Sequence, residues 1–528
     1  MIMALATLLF FLGLLALLYV RTHTLLAYFQ QEEYDGARFL AAVVRMRLYD
    51  LISTVAVLAL VILGAIVGRL DLTLVLCAIV FVAVANRERK FRFKKPLVMT
   101  ARAKRLRLFT LPVLAILALS VWLFPLFAIV VLQLVPLILI AVNRALRSEQ
   151  ERINNGYIAE AKAKLAEFEG LKIGVTGSFG KTSVKHILAQ VLSIDGNVFY
   201  SRGSINTVLG LTRHIRQRLQ PSHKYFIAEM GAYNIGSIAR LANFVEPDIG
   251  IITAVGGAHL ERFGSIANVA KGKSELADFV CRNGKFVITT EDVLTHAPFQ
   301  KLFTEFRQKF VVCGPSEAAD IRILETRLEK DGRFIRLRLE DGGTLDLKVP
   351  LLASYNASNI ALVVGAVSRI APEILPMLAA FVPHLEQTPH RLERKERVSA
   401  PLLLDDAYNS NEQGFREAVE VLGTLASQRG GRSILVTPGI VELGDAHDAV
   451  HRKLGELSGA TLDAIYVVNP ARIPTFLAGA KAGGRAQVVT AARFSEAQAA
   501  IDKLYRNPSD VMLYENDLPD VLEETRLL

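Results

Sequence analysis

Cysteine is scarce in this chain. Its 528 residues hold three, Cys77, Cys281 and Cys313, and no two stand in a C-x-x-C spacing. A disulfide framework and a cysteine-rich zinc site are therefore not expected, which fits a reducing compartment. Ten scattered histidines form no H-E-x-x-H pair, so the helical zinc motif is missing too. Internal repeats and low-complexity tracts are also absent. Acid is missing from one stretch above all: from Arg87 to Arg107 ten Lys or Arg face the single acid Glu88. That stretch carries +9 of a formal net charge of +10, leaving the rest nearly neutral. Basic charge this local, flanked by apolar runs, points to a membrane loop near anionic lipid, and nucleic acid is not expected as a partner.

What the sequence does have is apolar length, concentrated before residue 143. Met3–Val20 is uncharged and 18 residues long, without the basic start or small-residue cleavage site of a signal peptide. It is expected to be a first transmembrane helix. Leu51–Gly68 is a second, and Leu72–Ala85, after the polar turn Arg69-Leu-Asp71, a shorter third; a re-entrant hairpin there stays open. Leu108–Val142, 35 residues, is too long for one span, and Pro125 divides it into a fourth and fifth. The 87–107 loop and the 21–50 loop, with Arg21, Arg38, Arg45 and Arg47, are the basic ones. The positive-inside rule then puts both in the cytoplasm. Residues 1–142 read as a multi-pass region of the inner, cytoplasmic membrane with the N-terminus outside and everything after Asn143 inside.

Residues 143–170 are polar with apolar spacing at Ile158, Ala161, Leu165 and Phe168, an amphipathic connector. From 171 onward strand-like runs (Leu171–Val175, Tyr225–Ala228, Ile249–Thr253, Phe286–Thr289) alternate with helical segments. This predicts an α/β fold with a mainly parallel sheet. Turns at Asp331-Gly and Asp341-Gly-Gly place antiparallel hairpins in 320–350. A second alternation begins at Leu402. The expected division is a central domain over 171–395 and a smaller Rossmann-like α/β domain over 396–528.

The first of these strands leads into Gly174-Val-Thr-Gly-Ser-Phe-Gly-Lys-Thr-Ser183. Strand, glycine-rich turn and helix together suit a phosphate: backbone N–H groups and the helix N-terminus face the anion, and Lys181 supplies a mobile positive charge. Thr182 offers a hydroxyl to Mg²⁺. The strict G-x-x-x-x-G-K-[ST] pattern fails at one position, since residue 175 is valine. The competing reading, a plain strand-to-helix turn with glycines for tight packing, leaves Lys-Thr-Ser unexplained.

That variant spacing resembles the Mur ligase family, ATP-dependent amide-forming enzymes of peptidoglycan synthesis. The branch it resembles most adds D-alanyl-D-alanine to a UDP-muramoyl-tripeptide. Further matches follow in the family's order, in Asn206-Thr-Val-Leu-Gly210, Ala228-Glu-Met-Gly-Ala232 and Ala258-His-Leu-Glu-Arg-Phe-Gly-Ser265. Ala270-Lys-Gly-Lys-Ser-Glu275, Tyr355-Asn-Ala-Ser-Asn359, Asp405-Asp-Ala-Tyr-Asn-Ser-Asn411 and Val441-Glu-Leu-Gly444 continue the series. The resemblance covers about residues 171–460. It implies a phosphate-loop central domain in which Gly177, Ser178, Phe179, Gly180, Lys181, Thr182 and Ser183 bind ATP. Thr182, Glu229 and His259 would hold Mg²⁺, two sites in all. Lys273 would be carbamylated by CO₂ and, with Lys181, Glu229 and His259, form the catalytic set. Asn356 and Asn359 fall in the adenine-binding segment, where Tyr355 replaces a histidine; either asparagine alone also suits a helix start. Arg391 would reach the ATP phosphates, with Arg394 and Lys395 as near rivals. Asp406 would contact the nucleotide, while Tyr408, Asn409 and Asn206 would face the substrate.

The chemistry implied is attack of a substrate carboxylate on the γ-phosphate of ATP, then displacement of phosphate from the acyl phosphate by an amine. Two departures matter. Only 28 residues lie between Val142 and Leu171, too few for the family's UDP-binding domain. Thr437-Pro-Gly439 and Tyr514-Glu-Asn-Asp-Leu-Pro519 replace the branch's motifs in the domain that helps select the amine. Three readings stay open: an envelope ligase using a lipid-linked or membrane-proximal acid, a ligase making an amino-acid polymer or specialised metabolite, and a membrane ATPase that forms no amide.

Overall fold

The computed structural model describes residues 1–516 except Arg92, Lys94, Lys95, Ala258, His259, Arg397, Tyr408, Asn409, Glu442 and Arg506. The described chain falls into two compact units, residues 1–153 and 154–516.

The first unit is helical. Four of its helices are long and apolar enough to cross a membrane: Ile2–Gln31, Leu70–Arg89, Ala101–Trp122 and Phe127–Ala145. A fifth apolar helix, Leu51–Val67, is shorter. Helix ends follow caps rather than hydropathy. The first helix runs on to Gln31, well past the apolar run that closes at Val20. The helix carrying Leu108 starts at Ala101, because the Thr100 hydroxyl accepts from the Ala103 N–H. Asp50 caps Leu51–Val67 through Ser53 N–H at 3.0 Å, and Gly68 ends it at φ +71°. Helices Ile2–Gln31 and Leu70–Arg89 lie side by side and parallel, with Phe10 and Phe81 rings 5.2 Å apart. Farther along, Arg21 lies 3.7 Å from Glu88. Outward-facing residues such as Ile62, Ile66, Ile79 and Ile116 are more than half exposed. That is the reverse of a water-soluble bundle, whose outer face is polar.

The second unit holds two sheets. In the larger, nine-stranded one, Leu171–Thr176 pairs in parallel with Tyr225–Glu229 on one side and Ile249–Ile252 on the other. Phe286–Thr290, Phe310–Gly314 and Ile321–Glu329 extend it in parallel, and Gly332–Arg338 and Thr344–Val349 close it as antiparallel hairpins. Strands buried on both faces read as continuous apolar runs, as Tyr225–Ala228 of strand Tyr225–Glu229 does. Helix Arg147–Ala166 enters this unit at residue 154, and Ala161, Leu165 and Phe168 are buried in one cluster with Phe226 and Ile238. In the second, six-stranded sheet, Leu402–Asp406 pairs in parallel with Val511–Glu515 and antiparallel with the short strand Glu393–Lys395. Both sheets direct the carboxyl ends of their parallel strands toward one cavity, where ligands of open α/β sheets bind.

Candidate active site

The cavity has a volume of about 470 Å³. One wall is the phosphate loop, between strand Leu171–Thr176 and helix Lys181–Leu192. A Cβ on Gly177 would collide with the Thr253 hydroxyl, and Gly180 takes φ +81° with Asn359 Oδ1 2.9 Å from where its Cβ would stand. Only glycine lets the loop pass this close to its neighbours. The Ser178 N–H donates to Ala254 O at 2.8 Å, its hydroxyl donates to Gly256 O at 3.0 Å, and the Thr253 hydroxyl donates to Phe179 O. The end of strand Ile249–Ile252 thereby braces the loop, and Ser178, Phe179, Gly180 and Ser183 all line the cavity. The Lys181 ammonium folds back to donate to Gly177 O at 2.7 Å and Ser178 O at 3.4 Å. Burial draws its pKa down, against the pull of Glu229.

Glu229, last residue of strand Tyr225–Glu229, is the hub of the second wall. Its Oε2 accepts from the Thr182 hydroxyl at 3.0 Å and pairs with Lys185 Nζ at 2.8 Å, while Oε1 accepts from Asn206 Nδ2 at 3.3 Å. Burial opposes its ionisation, but Lys185 and Lys181 prevail and hold the carboxyl below its usual value. Two oxygen ligands of an octahedral Mg²⁺ with bonds of about 2.1 Å lie about 3 Å apart. Thr182 Oγ1 and Glu229 Oε2 have that separation and fit a divalent cation that takes the place Lys185 Nζ now holds at Oε2. Lys273, on helix Ile266–Arg282, is buried within electrostatic reach of Lys181. Burial first, and Lys181 second, push its pKa far below the usual lysine value. No carboxylate pairs with it among the described residues.

Helix Tyr355–Ile370 and the second sheet supply the rest. Neither Asn356 nor Asn359 caps the helix; both are buried in its first turns, where Asn359 Nδ2 donates to Asn356 Oδ1 at 3.1 Å. Asn359 lines the cavity with Tyr355, and Asn356 is not among the lining residues. Arg391 also lines it, presented by a link in which His390 and Leu392 take φ +57° and +49°. Its neighbours are engaged elsewhere: Arg394 binds Asp331 at 2.9 Å, and Lys395 lies 2.5 Å from Asp405 and 3.1 Å from Glu393. His390, Glu393 and Asp405 converge as metal ligands can, yet the Lys395 ammonium already supplies the cation there. Asp406 accepts from the Leu392 N–H at 3.1 Å. Burial pushes its carboxyl up to about 6 despite Arg391. Glu515, its register partner on the neighbouring strand, is wholly buried and is also raised, by burial and by Asp406.

One cavity thus gathers the loop, Asn206, Glu229, Asn359, Arg391 and Asp406, with Gly177, Lys273 and Asn356 behind it. His259, Tyr408 and Asn409 lie outside the described residues. Sequence reasoning passed over Lys185, Thr253 and Glu515. Lys185 was open to discovery, since it stands four residues after Lys181 on one helix face. The Glu229–Lys185 pair carries a prediction. Glu229→Gln leaves a buried ammonium without its counter-charge, a loss of about 3–5 kcal/mol. Calorimetry of the full chain in detergent should show the α/β transition several degrees lower. Because Glu229 is depressed in the folded state, the pair's contribution is present at neutral pH. It fades as pH falls through the folded pKa, below about 4.5.

Residues 175–367 match the Mur ligase middle domain. The chain is 32% identical over 289 residues to the UDP-N-acetylmuramoyl-tripeptide–D-alanyl-D-alanine ligase of Escherichia coli, covering 54% of this chain and 62% of that one. It is 30% identical to the enzyme of the same name from Synechocystis, over 56% of this chain and 61% of that one. The chain therefore spans about three fifths of the length of these relatives. In fold it resembles MurF from Acinetobacter baumannii, with a TM-score of 0.59 at 22% identity over 69% of this chain and 77% of that one. MurF ligase from Thermotoga maritima, solved with ADP, gives 0.57 at 23% identity over 69% and 80%. Residues 175–367 are accordingly similar to the Mur ligase middle domain, and the likeness to these ligases is carried by that part of the chain.

Proposed function

We propose that the chain is a membrane-anchored, ATP-dependent ligase that forms an amide through an acyl phosphate in peptidoglycan-related envelope synthesis. The observation that carries this reading is the convergence of the phosphate loop and the Thr182–Glu229 oxygen pair in one cavity, with Arg391 and Asp406 facing them from the second sheet's side. The names of the curated relatives supply the reaction class, a carboxylate on a muramoyl peptide joined to an amino-acid amine. The apolar helices 1–145 precede the matched part, so the acid is proposed to be membrane-proximal or lipid-linked rather than a free nucleotide sugar. The helices cross the inner membrane in about five spans, with the α/β unit, divided near residue 395, on the cytoplasmic side.

In the first step a carboxylate oxygen attacks the γ-phosphorus of ATP and the bond to ADP breaks. In the second, the amine nitrogen attacks the acyl carbon, the carbon–oxygen bond to phosphate breaks, and the ammonium's protons go to solvent or a nearby base. Two anions meet in the first step. Lys181 and Arg391 lower that repulsion, and donors fixed in advance cost no reorganisation at the moment of reaction. Thr182 and Glu229, with His259 as the expected third ligand, would hold Mg²⁺, which would supply further neutralisation of the phosphates. Lys273, were its neutral amine to attack CO₂ with an N–C bond formed and a proton released, would carry a carbamate able to hold a second Mg²⁺. Asn359, with Asn356 behind it, would contact the adenine and Asp406 the nucleotide, and Asn206 would contact the substrate, the role also assigned to Tyr408 and Asn409. Closure of the second sheet's domain shields the acyl phosphate from water.

The test is a screen of detergent-solubilised protein with candidate muramoyl peptides, other acids and amines, reading phosphate release and product mass. ADP formation that needs both acid and amine, with an amide of matching mass, is expected. Amine-independent turnover with no amide would overturn the reading in favour of an ATPase.

A further inference from the structure

Strand Ser433–Thr437 of the second sheet runs out into Pro438, Gly439 and Ile440, all buried, and Ile440 with Val441 lines the active-site cavity. Every backbone polar group of Pro438, Gly439 and Ile440 has a side-chain partner. Arg472 donates to Pro438 O and to Ile440 O, the latter at 3.0 Å. The Gly439 N–H donates to the Thr437 hydroxyl at 2.9 Å, and Gly439 O accepts from Asn516 Nδ2 at 2.7 Å. The Ile440 N–H donates to His451 Nε2 at 3.0 Å, and proline has no N–H to place. His451 is wholly buried on helix His447–Thr461, where its Nδ1–H donates to His447 O at 2.8 Å and leaves Nε2 as the acceptor. Burial holds that imidazole's pKa down to about 4, so it is neutral at physiological pH.

Buried backbone groups at the edge of a cavity ordinarily take water as a partner. Here side chains take its place, from the strand end, helix His447–Thr461, the link before helix Pro474–Ala482 and the end of strand Val511–Glu515. The turn needs no water, and it presents the apolar Ile440 and Val441 to the cavity. The two segments in which the sequence departs from the ligase branch also meet here, since the Asn516–Gly439 bond ties one to the other. We propose that Thr437, His451, Arg472 and Asn516 are positioning residues that hold 438–440 as a dry wall of the cavity, so that the amine and not water takes the acyl group. This role presupposes the ligase reading above. With the wall loosened, a water oxygen attacks the acyl carbon, the bond to phosphate breaks and a proton goes to solvent. Acid and phosphate are then released, and ATP is consumed without amide.

The test reads amide formed per ADP, using the full chain in detergent with the muramoyl peptide and amine that react in the screen above. About one amide per ADP is expected of the unaltered chain. Asn516 takes φ +67°, a backbone that glycine also adopts, so Asn516→Gly removes only the donor. It should lower the ratio to about one half or less while the KM for ATP stays within about twofold. His451→Ala should do the same, and His451→Gln, whose amide oxygen can again accept from Ile440, should restore the ratio. A ratio that stays near one in both Asn516→Gly and His451→Ala, or turnover that falls with the ratio unchanged, would overturn the proposal and leave the ligase reading standing. Hydrogen exchange over 438–441 reads the wall without any substrate: slow exchange is expected in the unaltered chain, at least about tenfold faster in Asn516→Gly. Rapid exchange there in the unaltered chain would overturn the proposal, whereas a screen that yields no amide sinks the ligase reading first.

Discussion

Lys181→Ala is expected to lower ATP-dependent amide formation by at least about a hundred- to a thousandfold, the scale on which one fixed charge-stabilising donor acts. The ammonium lies at the head of helix Lys181–Leu192 and donates to two loop carbonyls, Gly177 O and Ser178 O. Ser178 lines the cavity, so water can replace the lost donor there and the fold should hold. The catalytic loss is different in kind. Burial makes the ammonium costly in the free protein, and phosphate charge arriving beside it reverses that cost. Alanine removes the charge when it is needed most, as negative charge develops on the transferring phosphoryl group. Steady-state turnover with and without Lys181, beside the calorimetric profile of both proteins, checks the expectation. A variant that melts normally and turns over within a few-fold of the parent would remove Lys181 from the mechanism.

The second large effect is expected at Lys273. A lysine attacks CO₂ only as the neutral amine, and burial together with Lys181 favours that form here. Lys273→Ala should therefore cost about a hundredfold or more in turnover while nucleotide binding changes little, since this side chain lies behind the cavity rather than in its lining. Turnover of the parent should fall when CO₂ and bicarbonate are stripped and return when they are restored. A carbamate carbon should appear on Lys273 after incubation with ¹³CO₂ and vanish in the variant. A merely structural lysine would give no such signal, and its loss would alter melting and nucleotide binding together.

These two lysines show what the chain's pattern made legible. Strand, glycine turn and Lys-Thr-Ser are consecutive, so the loop is written in one short stretch whose physics is local. Glu229 was legible for a similar reason, as a polar residue closing the apolar run Tyr225–Ala228. Its partner Lys185 was within reach through helical spacing but carries no motif. Glu515 was not legible at all. It lies beside Asp406 only because strand Val511–Glu515 inserts next to Leu402–Asp406, 105 residues after its neighbour Ser410, and strand order is a property of the whole sheet. In the helical unit hydropathy marked the apolar cores of the spans but not their ends. Those depend on Thr100, Asp50 and Gly68, and on helical turns that are polar and continue regardless. The buried group of Arg21, Asp50 and Glu88 was equally hidden, because separate helices bring its members together.

The most direct test of the central claim follows an oxygen atom. With the carboxylate substrate labelled with ¹⁸O, formation of an acyl phosphate requires that one labelled oxygen leave with the phosphate when the amine attacks. The account predicts one ¹⁸O in each phosphate released and one retained in the amide carbonyl. Unlabelled phosphate alongside amide product, or labelled acid returned unchanged while ADP accumulates, would contradict it.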